Sequence, residues 1–335
     1  MDEFLPIGDG LPDAVKAGFL PHAGADGLGK ALAFTILVPP GWRADGVPPV
    51  PATLPTDRMT PLALYANDPG EGCYLQVQAV RLVRDIGAEH WIRHFMLVSD
   101  YVPKAIRGLS PIFADALCTF AIEDFAFTGR ITATLNGDIL FYVFAFAPTA
   151  TYPQWAERLG YSVASFEPST EAAHVGVAPW VAHQVEAYRF QCPAGWAAYP
   201  AHTAPPGVSA VDLLYETDES PLGWIRFKTV SRDQPTSMEQ LAERALADME
   251  DTGVRDFTLR VDQGIELGDS IFTGGVLQMF DGASSTGLPQ EIWVTLLEAP
   301  AHFVVVTLLT PARTADFRLW AENRRAYGIV AETLR

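Results

Sequence analysis

The sequence predicts an α+β protein made of two tandem domains. Each is expected as three layers, α/β/α, with a mainly antiparallel sheet flanked by helices. Three observations carry this. A strand–turn–strand–helix unit occurs twice. Its first copy is an alternating run at 131–135, Asn136-Gly137, an apolar run at 139–147, Pro148 and a helix with Trp155. Its second is 292–297, a turn at 298–301, an apolar run at 303–309, Pro311 and a helix with Trp320. A further block aligns without gaps at an offset of about 150 residues, far beyond solenoid periods, so it is read as duplication of a whole domain. Finally, 139–147 and 303–309 are apolar at almost every position, as a strand covered on both faces requires.

In chain order, residues 1–30 are rich in Gly, Asp and Pro and read as an N-terminal arm. The first domain, 31–168, opens with a strand-like run at 33–38 closed by Pro39-Pro40-Gly41-Trp42. The second, 185–335, opens with 188–192 closed by Pro193-Ala194-Gly195-Trp196. Proline-rich loops follow, at 47–55 and 204–207. Leu64-Tyr65 then matches Leu214-Tyr215, and the strand 74–80 matches 224–230. Leu75 and Val77 fall on the parity of Ile225 and Phe227, while Gln76 and Gln78 match Arg226 and Lys228. Strand side chains alternate faces, so a shared parity means a shared buried face.

A helix follows each strand. In the second copy Thr236 and Glu239 form an S/T-x-x-E capping box ahead of a stripe of Met238, Leu241, Ala245 and Met249. In the first copy Asp85 is the expected cap, and Trp91, Phe95 and Val98 the stripe. Strand-like runs at 117–127 and 264–280 precede the repeated hairpins. Asn136-Gly137 reads as the central pair of a hairpin turn with positive φ at both residues. Short successive turns favour antiparallel neighbours. A linker, 169–184, carries Gly176 and Pro179.

A strand ending in Pro-x-Gly-Trp, a mid-domain helix, then strand–turn–strand and a Trp helix running into a last strand resembles the PsbP-like superfamily. That group includes the Ran-binding Mog proteins and the bacterial DcrB-like domains. The best matching residues are Leu135-Asn136-Gly137-Asp138-Ile139-Leu140-Phe141-Tyr142, then Trp155 and Val163-Ala164-Ser165-Phe166. The resemblance spans most of each half, and its motifs are structural. It implies non-catalytic work: binding other proteins, assisting assembly, or, as in some DcrB-like proteins, chaperoning secretion effectors by cradling apolar helices on an open sheet. Those chaperones look like paired domains, so this chain resembles a fused pair.

Composition narrows the partners. The formal net charge is −17, spread over both halves, which repels phosphate backbones and anionic headgroups. Nucleic-acid binding and membrane insertion are therefore not expected; the longest apolar runs fall well short of the roughly 20 residues a spanning helix needs. Cys73, Cys118 and Cys192 are scattered and form no C-x-x-C pair, as reduced thiols in a cytosol would be. The acidic start MDEFLPIGDG has no secretory pattern, so a cytoplasmic location is expected.

No catalytic constellation emerges. Gly24-Ala25-Asp26-Gly27-Leu28-Gly29-Lys30-Ala31 fits G-x-x-x-x-G-K, but Ala31 stands where a magnesium-binding hydroxyl belongs and a strand follows. His90 and His94 share a helix face, yet Glu89 lies outside the pair and no third ligand is suggested. Ser284-Ser285-Thr286 reads as a hairpin loop, not a nucleophile elbow. Glu123-Asp124, if on a strand, would point to opposite faces; Glu250-Asp251 has no assignable role. Trp180 is the one large aromatic without a core assignment; it reads as domain packing or as a contact for a partner. The expectation is thus a chaperone- or adaptor-like protein that binds a protein or peptide without catalysis, cofactor or metal. The alternatives are an enzyme or small-molecule binder with its site between the domains, and a structural subunit.

Overall fold

The run at 139–147 lies at the centre of a seven-stranded antiparallel sheet, and none of its residues is more than 5% exposed. The structure, a computed structural model, describes residues 12–24, 30–47, 49–51, 53–67, 72–169, 176–201, 205–217, 221–266 and 271–335. It divides into two units, Met1–Ala178 and Pro179–Arg335.

The first unit runs α1 (Asp13–Lys16), β1 (Leu20–Gly24), β2 (Phe34–Val38), β3 (Arg43–Asp45), β4 (Thr60–Ala66), β5 (Tyr74–Arg81), α2 (Ala88–Val98), β6 (Val102–Ser110), β7 (Phe113–Ile122), β8 (Phe125–Asn136), β9 (Ile139–Pro148), α3 (Tyr152–Ala164) and β10 (Glu167–Pro168). Its main sheet has the order β3-β4-β5-β9-β8-β7-β6, and β1, β2 and β10 form a small separate sheet. The described part of the expected arm is therefore partly strand, because β1 pairs along the whole of β2.

Alternation along β9 sends its side chains to two different sets of partners. Phe141, Val143 and Ala145 join Leu75 and Val77 of β5 and Leu159 and Val163 of α3. Tyr142 meets Trp91 and Phe95 of α2, while Phe144 and Phe146 stack among Tyr101, Phe120 and Phe127. Each such buried ring or aliphatic chain contributes about 2 kcal/mol. Gly129 lets β8 pass beneath the rings: a Cβ there would lie 2.3 Å from the Phe144 ring.

Local readings shift in several places. The β8–β9 loop is Gly137-Asp138, one residue later than the expected central pair, because Asn136 already pairs with Ile139. Gly137 alone takes positive φ there, at 65°, the pattern of a turn that needs glycine first. The α2 cap is Gly87, without a side-chain bond, whereas Asp85 is buried and accepts from the Val177 N–H at 3.0 Å. The buried stripe of α2 is Trp91, Ile92 and Met96; Val98 faces solvent at the helix end. Glu123-Asp124 forms the two-residue loop of the β7–β8 hairpin rather than strand, with Glu123 at φ 53°.

The second unit runs β11 (Trp180–Val185), β12 (Tyr188–Pro193), β13 (Ala197–Pro200), β14 (Val208–Glu216), β15 (Pro221–Ser231), α4 (Met238–Asp251), β16 (Arg255–Gly264), β17 (Gly274–Ala283), β18 (Pro289–Glu298), β19 (His302–Pro311) and α5 (Phe317–Thr333). Its main sheet, β13-β14-β15-β19-β18-β17-β16, repeats the strand order of the first, with β19 central. Residues 180–184, expected in the linker, are strand because they pair with β12 throughout. The α4 capping box uses Ser237 and Gln240, one residue beyond Thr236 and Glu239, since Ser237 holds the extended cap conformation. Leu241, Ala245 and Met249 of α4 pack on Ile292, Val294 and Val305. From α5, Trp320 and Tyr327 meet Trp293 of the opposite parity.

Candidate functional site

Strand β15 buries Ile225 and Phe227 on one face and turns Trp224, Arg226 and Lys228 to the other. Arg226 meets Asp212 of β14 through two bonds, Nε–Oδ1 at 2.7 Å and Nη2–Oδ2 at 3.0 Å. Its Nη1 reaches Asp248 of α4 at 3.0 Å, and Lys228 meets the same carboxylate at 3.3 Å. The Trp224 indole donates to Asp212 at 2.8 Å, and the Arg226 guanidinium sits 4.6 Å from that ring's centroid. Burial alone would lower the Arg226 pKa; the hydrogen bonds and charges of Asp212 and Asp248 hold it above its ordinary value.

Beside this network opens a cleft of about 630 Å³. Trp224, Leu214 and Leu309 line it from the sheet, Val254 from the chain after α4, and Leu288 from the β17–β18 loop. At its edge the Tyr199 hydroxyl donates to Glu216 at 2.6 Å, and that bond, with the carboxylate's charge and then burial, raises the tyrosine's pKa. Ser284 also lines the cleft, but its hydroxyl is hydrogen-bonded to Thr286 at 2.9 Å. These groups can enclose apolar surface and offer a few polar contacts.

Two other charge clusters are buried and mutually satisfied. In the first unit Asp115 accepts from Arg130 at 3.0 and 2.7 Å and from Arg107 at 3.1 and 2.9 Å. In the second, Glu291 accepts from Arg260, Trp293, Trp320 and the Arg313 N–H.

Trp180 lies on β11, opposite Pro193 and away from the cleft lining; the Arg325 guanidinium is 5.9 Å from its ring centroid, and Arg325 pairs with Glu332. His90 and His94 are half-buried on α2, and among the described residues no group of three or more His, Cys, Asp or Glu could hold a metal ion. Most of the G-x-x-x-x-G-K stretch lies outside the described residues; after it come a single turn, Lys30–Leu32, and β2. No described helix is long and apolar enough to cross a membrane. Sequence reasoning missed the Asp212–Arg226–Asp248 network. Its one signal was Arg226 and Lys228 alternating with buried residues on a strand.

No protein-family model matches the sequence, and neither does any curated protein. Among solved structures the chain is similar to PsbP (CyanoP) from the cyanobacterium Synechocystis sp. PCC 6803, with 14% identity, 50% of this chain and 99% of that chain covered, and TM-score 0.32. It is similar to a point mutant of the protein Mog1, with 13% identity, 47% and 95% covered, and TM-score 0.30. It is also similar to the immunity protein TplEi of T6SS from Pseudomonas aeruginosa complexed with "L" peptide, with 12% identity, 96% and 98% covered, and TM-score 0.26. Likenesses this distant assign no family and no activity to the chain.

Proposed function

We propose that this is a non-catalytic protein- or peptide-binding protein that docks its partner in the cleft of the second unit. The carrying observation is the pairing of apolar walls with polar groups that already satisfy one another: the guanidinium of Arg226 is engaged by two carboxylates, and Ser284 by Thr286. A site of that kind offers shape and desolvation, and neither Arg226 nor Ser284 is left poised for proton transfer or attack. We read the units as PsbP-like α/β/α domains arising by tandem duplication. Their shared strand order supports this, as does the division of β9 side chains between α3 and α2. Trp180 is proposed as a second partner contact. Small-molecule binding is the rival reading, favoured by a volume inside the range of about 300–1,000 Å³ usual for ligand pockets.

Peptide display against the intact protein tests the proposal. Leu288 is 60% exposed on the cleft wall, and Leu259 is 51% exposed on β16 outside it. Selected peptides should lose about tenfold in affinity on Leu288→Glu and nothing on Leu259→Glu, the scale of an interface anchor. Failure to select any peptide, or affinities indifferent to Leu288→Glu, overturns it.

A further inference from the structure

The two sheets share strand order and have corresponding cross-strand pairs, so positions can be equated one by one. Tyr74 pairs with Phe146 in the first unit, and Trp224 with Leu309 in the second. Phe127 pairs with Pro148 and with Phe120; Gln290 pairs with Pro311 and with Gly282. Both mid-domain helices end alike: Asp100 and Gly253 take positive φ, at 56° and 93°, and the next N–H, of Tyr101 or Val254, returns to Met96 or Met249. The aromatic set Tyr101, Phe120, Phe127 and Phe146 therefore corresponds to Val254, Gly282, Gln290 and Leu309.

In the first unit those rings fill the space themselves. Tyr101 stacks on Phe120 at 4.7 Å, and Phe120 lies 5.5 Å from Phe127 and 5.4 Å from Phe146. In the second unit the replacements are smaller or polar, and Val254, Gln290 and Leu309 line the cleft. Close packing tolerates no such space without a partner or water to fill it. Charge adds a second constraint. Arg226 and Lys228 balance Asp212 and Asp248, while Glu216, exposed at the edge, accepts from the neutral Tyr199 hydroxyl and forms no ion pair among the described residues.

We infer that the cleft accepts an aromatic side chain from a partner polypeptide, with a basic residue beside it seated on Glu216. The partner's ring takes the volume that phenylalanine rings take in the first unit. Its cation meets Glu216, a carboxylate at the mouth with no counter-charge among the described residues, in a chain whose net charge of −17 already draws cationic segments. This deepens the peptide-binding reading above and rests on it.

The test uses the intact protein and four short Gly-Ser peptides that differ only at two central residues: Phe-Arg, Phe-Glu, Ala-Arg and Ala-Glu. Titrations are followed by NMR of the indole N–H signals. The Phe-Arg peptide should bind best, the Ala-Arg peptide about thirtyfold more weakly, as for loss of an interface anchor. The Phe-Glu peptide should be weaker by about tenfold, as for reversal of a rim charge. Gln290→Phe with Leu309→Phe, which supplies the missing rings, should abolish binding while thermal unfolding stays cooperative. Glu216→Gln, a surface change that leaves packing intact, should keep the preference for Phe and erase that for Arg. If display-selected peptides bind in the cleft but show neither preference, this inference falls and the peptide-binding reading stands. If no peptide binds, or binding survives the filled cleft, both fall.

Discussion

The indole N–H of Trp320, on the last helix, donates to the buried carboxylate of Glu291 on β18 at 2.9 Å. Trp293 donates to the same oxygen at 3.3 Å, and Arg260 donates to both oxygens of the Glu291 carboxylate. The Arg324 guanidinium lies 5.3 and 5.4 Å from the two indole rings. One carboxylate thus joins the final helix to the sheet.

Burial alone would raise the Glu291 pKa, but Arg260, Trp320 and Trp293 hold it below the ordinary 4.5. A depressed carboxylate contributes stability that is complete above its unfolded pKa and is lost as pH falls through the folded value. Glu291→Gln should therefore cost about 2 kcal/mol near neutral pH, from charge-assisted bonds weakened or lost. The gap to the parent protein, read from urea midpoints, should narrow in acid below about pH 4.5. A gap of equal size at both ends of that range would show that the carboxylate's charge is not what holds the helix.

Asp115 is fully buried and Arg130 is 3% exposed, so neither can turn to water when its partner is removed. Arg130→Met should destabilise the protein by about 3 kcal/mol, softened by the Arg107 contact that remains. Replacing Asp115 and Arg130 together by apolar residues of similar volume should cost less than Arg130→Met alone. Equal or larger loss in the double variant, measured by chemical denaturation, would contradict the account.

Gly129→Ala forces a Cβ to within 2.3 Å of the Phe144 ring and 2.9 Å of the Phe146 Cβ. Overpacking of this kind costs about 1–3 kcal/mol. At Gly264 a Cβ would meet nothing within 4 Å, so Gly264→Ala should leave the unfolding midpoint almost unchanged. A loss of stability at Gly264 as large as that at Gly129 would mean that crowding against Phe144 does not govern the first.

All three cysteines are buried, and burial pushes the Cys118 thiol up to about 12. A thiol reagent near pH 8 should label none of them in the folded protein and all of them in urea. Rapid labelling of Cys118 in the native state would place it at the surface.

The hairpin–helix repeat could be read directly because its signals are local. Gly137 is needed for its turn, and the unbroken apolar run to Ala147, following that turn, fits the strand covered on both sides that it forms. Boundaries were less legible. The capping box slid from Thr236 to Ser237 because adjacent hydroxyl residues offer the same chemistry in two frames, and pairing with β12 turned residues 180–184 into strand. The cleft was hidden for a different reason. Arg226 and Lys228 announced polarity on a buried strand, but Asp212 and Asp248 come from the preceding strand and the following helix, where nothing local marks them as partners.

Periodicity and turn chemistry act over a few residues, so the order of residues was enough to set the strands, the antiparallel hairpins and the shared alternation of the two halves. Which face stays open depends on side chains that meet across three successive strands, whose combined size no single strand's pattern carries. Phe120, Phe127 and Phe146 close that space in one half, and Gly282, Gln290 and Leu309 leave it open in the other. That difference is one of summed volume at a point in space, and it came into being when the sheet brought those positions together.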